Sequence, residues 1–283
     1  HVLTKNFILL LLGQLFSLFG NYILKFSLAM YILDITGSAT VYGSIMALAT
    51  IPTILLTPFG GVLADRTNKR NVMVLLDLSS GFLILITLLF WKSNSISIIA
   101  FTLIALSILA AFESPAVESC VPLMLSGDNI TLGNALINQI SAVSTLITPI
   151  LGSVFYTIFG IKFILIATII CFFFTAFFEF FIYLPYVKPK KNTNLISTIK
   201  DDFRNSIIFI VKTKPNVFVM LIIVTIITFF MQGLMLIGLP FLVRSILNLN
   251  TNYYGLMESS LGLAVLIGSI LSCLLYTSDA ADD

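Results

Sequence analysis

The chain has 283 residues, of which 58% are hydrophobic and only 10% are charged. Soluble domains run at roughly 45–50% apolar and about 25% charged, so both departures point to lipid as the solvent. A net charge of +2 and only three cysteines (Cys120, Cys171, Cys273) exclude a disordered chain, a disulfide-stapled scaffold and a nucleic-acid-binding surface.

A helix needs about 20 apolar residues to cross a hydrocarbon core of about 30 Å. Apolar runs at about 7–32, 39–63, 72–91, 96–117, 132–159, 163–184, 216–240 and 253–272 predict eight such spans, the fourth continuing toward Leu125 as an interfacial helix. The expected class is an all-α polytopic membrane protein with the lipid bilayer as its first partner. The chain begins at His1, which reads as an N-terminus clipped by a few residues. Phe7 opens a full-length span with no small-residue cleavage site, so no signal peptide is visible. Cys273 to Asp283 reads as the translation of a transposase sequencing adapter. Setting 273–283 aside as an artefact leaves ten acids against fifteen bases, a net +5.

Polar side chains are costly in lipid, so they should face a cavity or another helix. In the first span Gln14, Ser17, Asn21 and Lys25 step by three and four along one helical face. Lys25 has two readings: attracting an anionic group or tuning a neighbouring carboxylate, or a structural ion pair or a snorkelling cation. The third span, from Phe82 to Trp91, has Thr87 as its only polar residue. In the fourth, Glu113 can carry a proton if it is partly desolvated, or can partner loop cations. Glu118 sits nearer the interface. The fifth span carries the fullest stripe: Asn134, Asn138, Ser141, Thr145, Thr148 and Gly152. The sixth is rich in Phe, with Glu179 read as a boundary charge. The seventh places Thr225, Thr228 and Gln232 on one stripe, and Glu258 opens the eighth. Spans 1, 5 and 7 therefore read as pathway-lining and spans 3 and 6 as supports, although single Ser and Thr residues also serve simple interhelical hydrogen bonding.

Between the sixth and seventh spans lies a long polar stretch, Pro185 to Pro215, with Lys188-Pro189-Lys190-Lys191 and an amphipathic segment from Leu195 to Val211. Lys5, Arg66, Lys69, Arg70 and seven basic residues of that stretch lie on one side. Only Lys92, Lys162 and Arg244 lie on the other, which places the N-terminus and central loop in the cytoplasm. The chain divides into a six-helix half (1–184), a cytoplasmic linker (185–215), two spans of a second half (216–272) and the tail (273–283). Internal repetition supports the two-halved layout. Thr57-Pro58-x-x-Gly61 matches Thr148-Pro149-x-x-Gly152, Tyr42-Gly43 matches Tyr254-Gly255, and amides recur at mid-span as Asn21 and Gln232.

The turn between spans 2 and 3 runs Gly61-Val62-Leu63-Ala64-Asp65-Arg66-Thr67-Asn68-Lys69-Arg70. It resembles the signature loop of the major facilitator superfamily (MFS), with Asn68 where the family usually has Gly. In this reading Gly61 permits close helix approach, Asp65 faces a helix N-terminus, and Arg66 and Arg70 pair with acids such as Asp77 or Glu118. Asn68 can keep the turn because Asn tolerates a left-handed backbone. Gly13-Gln14, Thr36-Gly37-Ser38-Ala39, and Glu113-Ser114-Pro115-Ala116 with Pro122 resemble the macrolide-efflux-like drug-export branch. Thr148-Pro149-x-x-Gly152 resembles the superfamily's antiporter motif, with Thr148 in place of Gly.

The resemblance covers residues 6–272 and implies a twelve-span fold, of which about four C-terminal spans are missing. It further implies that the signature loop lacks the eleventh helix it locks against, so the chain as written is a fragment unable to complete a transport cycle. The function implied is export of drug- or macrolide-type amphipathic molecules from a bacterial plasma membrane by alternating access. Proton antiport would drive it, Glu113 being the candidate carrier that the residues themselves offer, with no cofactor, no metal and a monomer when full length. Without a Walker-type loop, ATP coupling within the chain is not expected. The same fold could instead export a siderophore, lipid or peptide metabolite, with Lys25 favouring anionic cargo. A non-transporting receptor and an intramembrane enzyme are the remaining classes, the latter disfavoured because the only histidine is His1.

Overall fold

A computed structural model describes residues 3–91, 95–184, 204, 208–213 and 215–279, and among them there is no β-strand. Helices α1 (Lys5–Thr36), α2 (Ala39–Arg66), α3 (Lys69–Leu89) and α4 (Ile96–Met124) follow one another through short turns, then α5 runs over Asp128–Phe180. A further apolar helix, α6, spans Pro215–Ile246. It is α-helical over Pro215–Gly233 and Leu239–Phe241, with π-helical turns at Leu234–Gly238 and Leu242–Ile246. Last comes α7, Thr251–Asp279. Six helices among the described residues are long and apolar enough to cross a membrane. The central linker, 185–203 with 205–207, and Lys92 lie outside the described residues, as does the end of the tail, 280–283.

The turns follow from local chemistry. Thr4 caps α1 by accepting a hydrogen bond from the Phe7 N–H at 3.3 Å, and α1 ends where Gly37 turns left-handed (φ 58°). Ser38 then caps α2 through the Val41 N–H at 3.3 Å. The Thr36-Gly37-Ser38-Ala39 run is thus a helix stop and a helix start in adjacent residues. At the signature turn Asn68 adopts an extended backbone (φ −72°, ψ 105°) and caps α3 by accepting from the Asn71 N–H. The expected left-handed turn does not form; an Asn N-cap takes the place of a flexible Gly.

The two expected spans 132–159 and 163–184 appear as one element, α5. At 1.5 Å per residue a straight helix of 53 residues would be about 80 Å long, far beyond any bilayer core. Gly160 breaks it with a backbone (φ 74°, ψ 178°) that only glycine adopts readily. The two arms run antiparallel along α1. On the first, the hydroxyls of Tyr22 and Ser141 meet at 3.4 Å, and a Cβ on Gly152 would touch the Phe26 ring at 3.0 Å. On the second, Thr175 donates to the Gly13 carbonyl at 3.1 Å and Thr168 to that of Gly20 at 3.5 Å. Asn6 closes the far end, donating to the Tyr183 carbonyl and accepting from its N–H.

α2 packs along α4, α3 sits between α4 and α5, and α7 lies on α5. Small residues set these approaches, as expected where lipid supplies no hydrophobic drive between helices. A Cβ on Gly60 would collide with the Ala111 carbonyl oxygen of α4, whereas one on Gly61 would meet nothing within 4 Å. The close approach expected at Gly61 therefore falls on its neighbour. A Cβ on Gly255 of α7 would stand 2.6 Å from both the Pro149 carbonyl oxygen and the Ser153 hydroxyl.

Candidate functional site: a central cavity between α1, α5, α6 and α7

Two adjoining cavities lie where α1, α2 and α5 meet α6 and α7. The smaller, about 300 Å³, is lined by Tyr22, Lys25, Phe26 and Ala29 of α1 and by Tyr42 and Met46 of α2. Thr145, Thr148 and Pro149 of α5, Leu236 of α6, and Tyr254 and Glu258 of α7 complete it. The larger, about 820 Å³, is lined by Ala142 and Thr145, by Ile227, Thr228, Met231, Gln232 and Met235 of α6, and by α7 from Glu258 to Ala264. Thr145 and Glu258 belong to both. A largely apolar wall with a few polar groups is the usual make-up of a small-molecule site.

The sequence-derived stripes divide here. Lys25, Thr145, Thr148, Pro149 and Gln232 line the cavities. Asn134 and Asn138, from the same stripe, are exposed and line neither cavity. Ser141 instead meets Tyr22, and Gly152 is packed under Phe26. The inner part of the α1 stripe is turned into the bundle of α1–α5. Gln14 and Ser17 are buried, and the Ser17 hydroxyl donates to Glu113 Oε1 at 3.1 Å. Asn21 keeps a buried carbonyl oxygen with no donor, as Gln14 keeps a buried amide nitrogen with no acceptor. Glu113 lines neither cavity and is held within the bundle by the Ser17 hydroxyl.

The signature-loop residues lie at the bundle end that carries Lys5. Asp65 is exposed, Lys69 starts α3, and Arg70 donates twice to the Asn71 side-chain oxygen, at 2.9 and 3.1 Å. Asp77 does not pair with Arg66 or Arg70 as expected. Its carboxyl group is fully buried, no donor reaches either oxygen, and it meets the carboxyl group of Glu179. Glu179 is likewise fully buried, against Gly13, rather than a boundary charge. Both α3 and the second arm of α5 stay outside the two cavities.

Sequence reasoning passed over Glu258, Tyr42, Tyr254, Tyr22 and the methionines as site residues. One signal was available in the repeat of Tyr42-Gly43 and Tyr254-Gly255. Each Tyr lines the smaller cavity, and Tyr254 stacks on Phe26 at 5.5 Å between centroids. Each Gly admits a neighbour, Ile237 at Gly43 and Pro149 at Gly255. At the end bearing Gly37 and Gly160, Arg244 of α6 forms an ion pair with Asp34 of α1. The Tyr156 hydroxyl donates to the same carboxylate at 2.8 Å, and Thr157 donates to Asn252 at 3.2 Å. Among the described residues no cluster of His, Cys, Asp and Glu could hold a metal ion.

The described helices thus form an apolar bundle around two adjoining cavities, with Asp34 and Arg244 pairing at one end. The sequence profile of the Major Facilitator Superfamily matches residues 10–279. The chain belongs to that superfamily. Macrolide efflux protein A of Streptococcus pyogenes is 25% identical over 152 residues, which is 53% of this chain and 38% of the relative. The protein of the same description from Enterococcus faecalis is 24% identical over 128 residues, covering 44% and 39%. The matched stretches thus span less than two-fifths of those curated relatives. In fold, the chain is similar to the crystal structure of the peptide transporter POT in a point-mutant form (TM-score 0.62, 15% identity), covering 97% of this chain and 69% of that one. A sulfate complex of that transporter superposes with a TM-score of 0.58 at 15% identity, covering 97% and 68%. The chain is therefore an MFS multi-pass membrane protein, and its fold is that of those solved structures.

Proposed function

We propose that the chain is part of a bacterial plasma-membrane exporter that moves amphipathic small molecules of the macrolide type outward by alternating access, with protons as the coupling ion. The observation that carries this reading is the pair of adjoining cavities sharing Thr145 and Glu258, set between the first helical half and α6–α7. Residues 1–184 form the first half, 185–215 a cytoplasmic linker and 216–272 the start of the second half, with the N-terminus inside the cell. Alternation then consists of the second half rocking against the first around this site. Cargo enters the apolar wall and meets Lys25, Thr145, Thr148 and Gln232 as its polar contacts. Glu113 lies one layer behind, where a proton's arrival changes the field at Lys25. The curated relatives named macrolide efflux proteins support the cargo class. A monomer is the working unit.

The test is accumulation of radiolabelled erythromycin in a bacterial host lacking its own exporters, with the gene expressed from its locus through to its stop codon. Expression should lower accumulation, a protonophore should restore it, and Thr145→Trp, which fills the shared wall, should abolish the difference. Unchanged accumulation with or without the gene would sink the reading. Efflux that persists under protonophore would remove the proton from it.

A further inference from the structure

We infer that the cleft between α1 and the two arms of α5 binds one anionic phospholipid, its acyl chain filling the cleft and its headgroup phosphate meeting Lys162. The cleft shares no residue with the two central cavities and needs only the membrane setting, not the export reading. Its volume is about 330 Å³. That is about twice the roughly 150 Å³ of an apolar cavity that admits benzene. Gly20 makes the floor, where a Cβ would stand 3.0 Å from the Cβ of Cys171. Phe155 and Phe163, one from each arm, meet edge to face at 6.1 Å between centroids close to the Gly160 break. Thr168 and Cys171 are the only polar side chains in the wall, and the Thr168 hydroxyl already donates to the Gly20 carbonyl at 3.5 Å. Water finds no set of partners in such a place, and the lining atoms lose dispersion contacts until hydrocarbon fills it.

The dimensions suit one chain. From Leu15 to Ile23 the cleft follows α1 for about 12 Å. One leaflet supplies roughly 15 Å of hydrocarbon, half of a core of about 30 Å. Leu15 and Phe163, at the rim, are 38% and 40% exposed, so the cleft opens on the apolar outside of the bundle. The charge suits a phosphate. Lys162 follows Gly160 by two residues and adjoins Phe163; it is exposed and forms no ion pair among the described residues. Arg244, another cation at that end, is taken by Asp34. A lysine where a span ends lays its stem on the apolar surface and holds its ammonium at the level of the headgroups. A lipid whose phosphate meets that ammonium can pass its chain over Phe163 into the cleft. A zwitterionic headgroup carries its own cation beside the phosphate, so an anionic one is preferred.

The experiment is photolabelling of the full chain in phosphatidylcholine vesicles with a trace of phosphatidylglycerol that carries a diazirine midway along one acyl chain. Adducts are mapped by peptide mass spectrometry, and a phosphatidylcholine bearing the same diazirine serves as the zwitterionic probe. In the wild-type chain, phosphatidylglycerol adducts on 15–23 and 163–171 should be severalfold denser than those around Phe82 and Ile86, which are exposed on α3. They should also exceed the phosphatidylcholine adducts at the same place by about fivefold, the worth of one lysine beside an anionic headgroup. Lys162→Gln should remove that preference, and Lys162→Arg should keep it. Ala167→Phe, which fills the cleft from a half-buried position, should remove the cleft adducts of both probes and leave those on α3. Equal adduct density in the cleft and on α3 in the wild-type chain would overturn the inference even if no variant could be purified. Cleft adducts unchanged by Ala167→Phe would overturn it as well. A preference that survives Lys162→Gln would overturn the headgroup contact, and with it the claim for an anionic lipid.

Discussion

Arg244 of α6 clasps Asp34 of α1: Nε donates to Oδ1 at 3.1 Å, Nη2 donates to the same oxygen, and Nη1 donates to the Leu249 carbonyl at 2.7 Å. The pair ties α6 to the first helix at the end where α1 turns into α2. Its side chains are 21% and 27% exposed, so solvent screens part of the attraction, and about 1 kcal/mol is a fair ceiling. That corresponds to roughly a fivefold shift in the equilibrium between clasped and open forms.

Asp34→Asn and Arg244→Gln should therefore each open this end severalfold. A cysteine replacing Ile237, which packs beneath on Gly43, would report it in a background without the three native cysteines. Its maleimide labelling rate in detergent should rise in both single variants. In the charge swap Asp34→Arg with Arg244→Asp it should return toward the starting rate. Unchanged labelling in the single variants would show that the clasp does not hold the end shut.

Gly60 and Gly61 are adjacent yet should respond in opposite ways. An added methyl at Gly60 runs into the Ala111 carbonyl and stands 3.0 Å from the Phe112 Cα, both parts of a backbone that cannot turn aside. Gly60→Ala should cost about 1–3 kcal/mol through separation of α2 from α4. At Gly61 the space is open, so Gly61→Ala should be neutral or raise stability by about 0.5–1 kcal/mol through helix propensity. Thermal unfolding of the two variants in the same detergent checks the contrast.

Asp77 and Glu179 bring two carboxyl groups together in a fully buried place where no donor serves Asp77 or Glu179. An amide at either position supplies the missing N–H. Asp77→Asn and Glu179→Gln should each raise stability, by about 1–3 kcal/mol. The double variant should gain less than the sum, because one amide already satisfies its neighbour. A fall in melting temperature for both single variants would mean that the acid pair holds the bundle together.

Gly160 offers a fourth check. Its φ of 74° and ψ of 178° lie in a region closed to side chains, so Gly160→Ala should cost about 1–3 kcal/mol. Gly160→Asn should do no better, since Asn tolerates the left-handed helical region and not this one. A stability equal to wild type in either variant would place the break elsewhere.

How much of this was legible in the sequence depends on what each pattern encodes. Hydrophobic run length reports a span directly, because the bilayer fixes it, and so the helices fall close to the expected ranges. Capping chemistry is equally local: Gly37 stops α1 and Ser38 starts α2 with no distant partner involved. A polar stripe, by contrast, says which face is polar but not what covers it. Lys25, Thr145 and Gln232 met a cavity, whereas Gln14 and Ser17 met other helices of the same bundle. Asp77 and Glu179 lie 102 positions apart, and only the packing of α3 on the second arm of α5 brings them together. Glu258 escaped for a related reason: a carboxylate early in a span reads as an interface charge until α5 and α6 are seen to enclose it.

The unequal hold on α6 has a mechanical meaning. Near Arg244 the helix is anchored, with Val243 fully buried, while from Pro215 to Gly233 it buries no residue against the other described helices. Its 32 residues make a rod about 48 Å long with the fulcrum near one tip. A tilt of only 10° there would sweep the opposite tip through roughly 8 Å on that length. The π-turns beside the fulcrum are where such a rod bends most cheaply, because their hydrogen bonds are already irregular.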